Sequence, residues 1–207
     1  MRAALVAVPS SPKGRAQRKG EIKRALPIAF IAALLLSGVT TIGSALYIPI
    51  KAQLAQVLLD RAFDQSLQQG SPVKPWSWAD TAPIARLEVP RLDAQEIVLS
   101  GGSGEAMAFG PTALIDDRRR GISILAAHRD THFAFVKDLT LGDNLSLERT
   151  DGSVEQYEIT HFETVQWDSF TYPAHGGEGL LALTTCYPFG TDMPGPLRRV
   201  AWARRIN

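Results

Sequence analysis

From residue 84 onward the sequence predicts an all-β domain, a sandwich or barrel with short helical turns, set behind an N-terminal transmembrane helix. Three observations carry this reading. Short strand-like segments recur between turn signals from Ile84 to the C-terminus. Glycine-rich breaks interrupt them at Gly101-Gly-Ser-Gly104 and Gly176-Gly177. Ahead of them, Ala25 to Ile50 is a run of 26 residues without a charged side chain. A chain of 207 residues, 45% hydrophobic and 21% charged, holds one domain with a sizeable core plus an appendage.

The charge-free run exceeds the roughly 20 residues that span a bilayer as a helix, and its prolines, Pro27 and Pro49, lie near its ends. Residues 1–24 carry seven basic side chains against Glu21, a charge of +6 that leaves −5 for the remainder. The positive-inside rule then puts residues 1–24 in the cytoplasm as a basic tail, residues 25–50 in the membrane and the rest outside. The span is longer than the apolar core of a cleaved signal peptide, so an uncleaved signal anchor is expected. Beside a membrane span, the basic run reads as a topology signal, and no nucleic acid is expected as a partner. Residues 51–79 read as a helical stalk and linker: Lys51 to Gln69 is rich in helix formers, with Leu54, Val57, Leu58, Arg61 and Leu67 at helical spacing, and Gly70-Ser-Pro-Val-Lys-Pro-Trp76 breaks it. Trp76 and Trp78 read as aromatic cover.

The β-domain is expected over residues 80–207. Its candidate strands are 84–89, 96–100, 122–126, 144–148, 154–160, 163–166, 180–185 and 199–203, with helical turns within 108–114 and 131–139. Leu180 to Thr185 reads as a buried strand ending at the chain's only cysteine, Cys186, just before Tyr187-Pro188. Alone, a cysteine there reads first as a small core hydrophobe. Its company points to chemistry. His128 ends the apolar run Gly121 to Ala127, and Arg198 follows the turn signal Pro194-Gly-Pro196, so three strand ends present a thiol, an imidazole and a guanidinium.

These residues resemble the sortases, bacterial cysteine transpeptidases with the signature Thr-Leu-x-Thr-Cys at a strand end, a histidine upstream after an apolar strand, and an arginine about a dozen residues downstream. Here the signature reads Ala182-Leu-Thr-Thr-Cys186, with alanine in place of the first threonine, and Cys186-Tyr-Pro-Phe189 is similar to class D sortases and to the branch of Gram-negative marine bacteria. The resemblance covers about residues 80–207 and implies an eight-stranded barrel. It also implies catalytic roles for Cys186, His128 and Arg198, and a substrate-orienting role for Thr185. Arg198, Val200 and Trp202 share one strand face, and Arg199, Ala201 and Ala203 the other, so only one of the adjacent arginines points at the thiol. The pattern Pro196-Leu-Arg-Arg-Val200 favours Arg198.

The implied reaction is thiolate attack on a peptide carbonyl, a thioester intermediate and transfer to an amine. The implied partners are a secreted protein with a C-terminal sorting signal similar to Leu-Pro-x-Thr-Gly and an amine acceptor, met at the outer face of the membrane. The loops at 168–177 and 190–195 are expected to tune recognition. No cofactor is expected. No metal is expected either: His128 and His132 have zinc-helix spacing, but Arg129 stands where that motif needs glutamate, and Asp116-Asp117 reads as pairing with Arg118 to Arg120. His161 and His175 read as structural or exposed. A tethered β-domain that only binds a partner, an inactive sortase homologue, and a zinc hydrolase remain as alternatives. A lone thiol outside the cytoplasm cannot form an internal disulfide and is open to oxidation, a liability best explained by a chemical task.

Overall fold

The computed structural model describes residues 13–191, 193 and 195–206; the first twelve residues of the basic segment lie outside them. The chain divides into two units, Met1–Lys51 and Ala52–Asn207. Helix α1, Lys13–Gln69, begins in the first and ends in the second. In the first unit Phe30, Leu34, Leu36, Val39 and Ile42 are each more than half exposed. At 100° per residue they point all round the helix, so no single protein face would cover them. This helix is long and apolar enough to cross a membrane.

The second unit is a closed barrel of eight strands: β1 Pro83–Val89, β2 Ala94–Leu99, β3 Thr112–Asp117, β4 Ile122–Ala126, β5 Asn144–Arg149, β6 Val154–Gln166, β7 Leu180–Tyr187 and β8 Leu197–Arg205. They close in the order β1-β2-β3-β4-β7-β8-β6-β5, with β2–β3 and β4–β7 parallel and the other neighbours antiparallel. Alternation of side chains sorts each strand into inner and outer residues. Ala85, Leu87 and Val89 of β1 join Val98, Leu125, Leu145, Leu147, Leu181, Leu183 and Ala201 in the interior. β7 reads as continuous Leu and Ala because its outer face is covered as well: Leu180 and Ala182 pack with Ile122, Ile124, Val200 and Trp202, under Phe170 of the β6–β7 loop.

One end of the barrel is closed by charge. The buried Arg149 binds Asp116 at 2.7 Å and Glu155 at 3.0 Å and donates to Ser123, while Tyr157 donates to Glu155. Burial opposes the charge on Arg149, but the two carboxylates more than restore it, and its pKa lies above the ordinary value. Burial beside Glu155 pushes Tyr157 up to about 12, so the phenol stays a donor. Asp116 therefore serves Arg149, whereas Asp117 pairs with Arg120 as its neighbourhood in sequence suggests.

The strand count matches the eight candidates, but two details differ. β3 occupies 112–117, a strand absent from the candidates that takes up the end of the 108–114 stretch where a helical turn is expected; the turn lies upstream as α2, Gly104–Met107, capped by Ser103. Two aspartates lower the strand propensity of β3, and Asp116 is held there by Arg149. Candidates 154–160 and 163–166 form one strand, because a register shift between Ile159 and His161 lets β6 continue past the break in its pattern. The turn expected within 131–139 is present as a 3-10 helix, Ala134–Asp138.

The last part of α1 belongs to the barrel's packing. Ala55, Leu59, Ala62, Phe63 and Ser66 are buried at helical spacing, and Leu59 and Phe63 meet Ile97 and Leu99 on the outer face of β2. Arg86 lies over the Phe63 ring at 4.5 Å and bonds Asp64 and Glu148. Leu54 and Val57 are exposed. Trp76 covers Phe109 edge-on at 5.2 Å, whereas Trp78 is exposed.

Candidate active site

β4 and β7 run side by side in parallel, with Ala126 level with Thr184. The pairing continues one step beyond β4, where Ala127 donates to the Thr184 carbonyl at 3.3 Å and the Thr185 hydroxyl donates to the Ala127 carbonyl at 2.8 Å. β4 ends at Ala126, and the residue after Ala127 on its continuation is His128, as the residue after Thr185 on β7 is Cys186. On the other side β8 is antiparallel, and Cys186 pairs directly with Arg198. Direct partners in an antiparallel pair project to the same face. That face is the outer one, continuous with Ile124, Ala182 and Val200. The register thus brings Cys186 and Arg198 together, and His128 lies on the continuation of the neighbouring strand, β4. His128 is exposed; Cys186 and Arg198 are half-buried.

The fourth, Thr185, faces the other way. It is buried, its hydroxyl is used by Ala127, and its partner on β8 is Arg199. It fastens the strand end that carries His128 to the one that carries Cys186. Arg199 places its guanidinium over the Phe162 ring at 4.7 Å and donates to Thr164. Arg198 donates to the carbonyls of Gly195, just before β8, at 3.0 Å and of Leu197, its first residue, at 2.8 Å.

Two contributors were not singled out from the sequence. Arg129, considered there only as an obstacle to zinc, is buried and donates to the carbonyls of Pro188 and Thr191 and to both oxygens of Asp130. The hydrogen bonds from Arg129 hold the Asp130 carboxyl below its ordinary value. Trp202 on β8 is stacked between His161 and Phe170, each 5.9 Å away, and donates to Glu163. Through Phe170 it seats the β6–β7 loop on the outer face of β7 and β8, the face to which Cys186 and Arg198 belong. His132 is taken up by Glu96, with Nδ1 2.8 Å from the carboxylate, and does not join His128. His175 is exposed.

A thiol flanked by an imidazole and a guanidinium on one strand-end face has the parts for covalent acyl transfer: a nucleophile, a proton carrier and a permanent cation. Comparison with known proteins points the same way. The sortase domain model matches residues 87–206. Sortase D of Bacillus subtilis (strain 168) is 31% identical over 126 residues, 58% of this chain and 63% of that protein. The chain thus spans less than two thirds of that relative's length. Among solved structures, sortase A from Corynebacterium diphtheriae superposes with a TM-score of 0.53 at 19% identity, covering 63% of each chain. Streptococcus pneumoniae sortase C gives 0.53 at 22% identity, over 60% of this chain and 68% of its own. These two likenesses speak for the fold; the domain match and the Bacillus relative speak for descent. With a barrel of this topology, a cysteine paired to an arginine across β7 and β8, and a sortase domain matched over most of the barrel, the chain belongs to the sortase family, with its resemblance running to class D.

Proposed function

We propose that this protein is a membrane-anchored cysteine transpeptidase that cuts a C-terminal sorting signal and passes the protein so released to an amine. The observation that carries the reading is the register: Cys186 pairs with Arg198 across β7 and β8, and β4, whose continuation carries His128, lies beside β7. Membership in the sortase family sets the reaction class.

In the proposed cycle the Cys186 thiolate attacks the carbonyl carbon of the scissile peptide. The developing oxyanion is met by Arg198, which leaves the Gly195 and Leu197 carbonyls to do so. The carbon–nitrogen bond breaks as His128 gives its proton to the leaving amine. A thioester remains. The acceptor amine then attacks it, His128 takes the proton back, and the carbon–sulfur bond breaks to restore the thiolate. Thr185 orients the site through its hold on Ala127. The charge-free part of α1 anchors the enzyme with residues 1–24 in the cytoplasm and the barrel outside. That places Cys186 on the side where a secreted protein retained by its own apolar tail would meet it.

The test is incubation of the full chain, in detergent, with a library of Leu-Pro-x-Thr-Gly-like peptides and an amine, beside Cys186→Ala. An amine-linked product that depends on Cys186 is expected. A folded wild-type protein that joins no peptide in the library to any amine would favour the binding-domain reading.

A further inference from the structure

We infer that Arg129 is a positioning residue that fixes the spacing of His128 and Cys186, an inference that rests on reading those two as the reacting pair. Arg129 directly follows His128, and its side chain is 6% exposed. Its guanidinium reaches the carbonyls of Pro188, at 2.6 Å, and Thr191. These lie two and five residues beyond Cys186. One planar group therefore joins the turn that presents His128 to the turn through which the chain leaves Cys186.

The chemistry of the group suits this task. Nη1 donates to Pro188, Nη2 to Thr191 and Asp130, and Nε to Asp130, so the edges of the fork are used at fixed angles. Asp130 supplies the charge that lets a guanidinium be buried there. Thr185 ties the same two strand ends together from the interior side, through Ala127. With both ties in place the strand ends are fastened before and after the pair, at Ala127–Thr185 and at Arg129–Pro188, and the pair between them inherits their spacing.

The loop from Pro188 to Pro196 gives the tie a further role. Its two ends are held by different arginines: Arg129 takes Pro188 and Thr191, and Arg198 takes Gly195. When Arg198 turns to the oxyanion it lets go of its end. Arg129 stays on the Cys186 end, so the cation that changes partners is separate from the cation that holds the turn.

The test uses the full chain in detergent as wild type, Arg129→Lys, Asp130→Asn and His128→Asn. A lysine keeps the charge but cannot serve both carbonyls and Asp130 in one plane. Because Cys186 is the chain's only cysteine, its alkylation by iodoacetamide can be followed against pH without any peptide. Arg129→Lys is expected to retain the wild-type melting transition. At neutral pH its alkylation is expected to slow about tenfold, with a pH profile shifted toward that of His128→Asn, since a displacement of about 1 Å can cost up to about 100-fold. Asp130→Asn should move the same way by less. With a peptide substrate the loss should fall on kcat, leaving KM nearly unchanged. Alkylation profiles of Arg129→Lys and Asp130→Asn that superimpose on wild type would overturn the inference, as would a wild-type profile identical to that of His128→Asn. If Arg129→Lys does not fold, Asp130→Asn alone decides between these results. Failure of the transpeptidase reading would show separately, as a wild type that joins no peptide while the alkylation profiles still differ.

Discussion

At the scale of single residues, the site depends on which of two adjacent arginines shares the face of Cys186. Register answers this: Arg198 pairs with Cys186 and Arg199 with Thr185, and consecutive residues of a strand point to opposite faces. The two substitutions should therefore separate. In peptide-transfer kinetics Arg198→Lys, which keeps the charge and loses the fork, should lower kcat by about 100-fold or more. Arg199→Lys gives up a stack on Phe162 and should stay within about threefold of wild type. The opposite ranking would assign the oxyanion role to Arg199. The order of His128, Cys186 and Arg198 along the chain made this trio legible in the sequence. Arg129 was not legible, because the partners that define it are main-chain carbonyls 59 and 62 residues away, and a carbonyl leaves no mark in a sequence.

At the scale of elements, α1 has two kinds of surface. Its charge-free part exposes apolar side chains all round, whereas Leu59 and Phe63 are fully buried on the outer face of β2. Composition marked residues 51–69 as helix, yet it did not distinguish a stalk from a helix that completes the barrel. The buried face is narrow and includes Ala55, Ala62 and Ser66, small residues that allow close approach without raising the hydrophobic signal. Phe63→Ala should cost about 3–5 kcal/mol of stability in denaturant unfolding. A fragment of residues 52–207 should accordingly melt well above one of residues 71–207, which lacks Leu59 and Phe63. Equal melting temperatures would mean that the helix adds nothing to the barrel. The same contrast between local pattern and tertiary context explains the strands. β1 alternates cleanly and was readable; β3 carries two aspartates, the first of which, Asp116, is held by Arg149 at the end of β5, a distant element.

At the scale of the whole molecule, closure of the sheet leaves no exposed edge, and two of its contacts are parallel, which requires long connections. One of them, β4 beside β7, sets the strand that leads to His128 next to the one that carries Cys186, nearly 60 residues apart in sequence. The eight-stranded class was legible from strand spacing and family resemblance; this adjacency was not read from the sequence, since spacing says nothing of strand order. The surface holds the barrel through carboxylates paired with arginines. Hydrogen bonding from Arg91 holds the buried Asp143 below its ordinary pKa. Ser153 and then Arg118 do the same for Asp151, as Arg129 does for Asp130. A carboxylate with a depressed folded-state pKa contributes stability that is fully present above its unfolded value, about 3.9, and is lost as pH falls through the folded value. Thermal melts should therefore hold steady with respect to these groups from pH 7 to 5 and fall steeply below about pH 4. A melting temperature unchanged at pH 3 would contradict the assigned pairs.

The central claim is that Cys186 takes up an acyl group from a sorting-signal peptide. Its most direct test is the intact mass of the full chain in detergent, quenched in acid seconds after mixing with a cleavable peptide and no amine. The account predicts a mass increase equal to the peptide's acyl part, located on Cys186, removed by hydroxylamine and absent from Cys186→Ala. Cleavage of the peptide with equal yield by Cys186→Ala, with no adduct on the wild type, would contradict it.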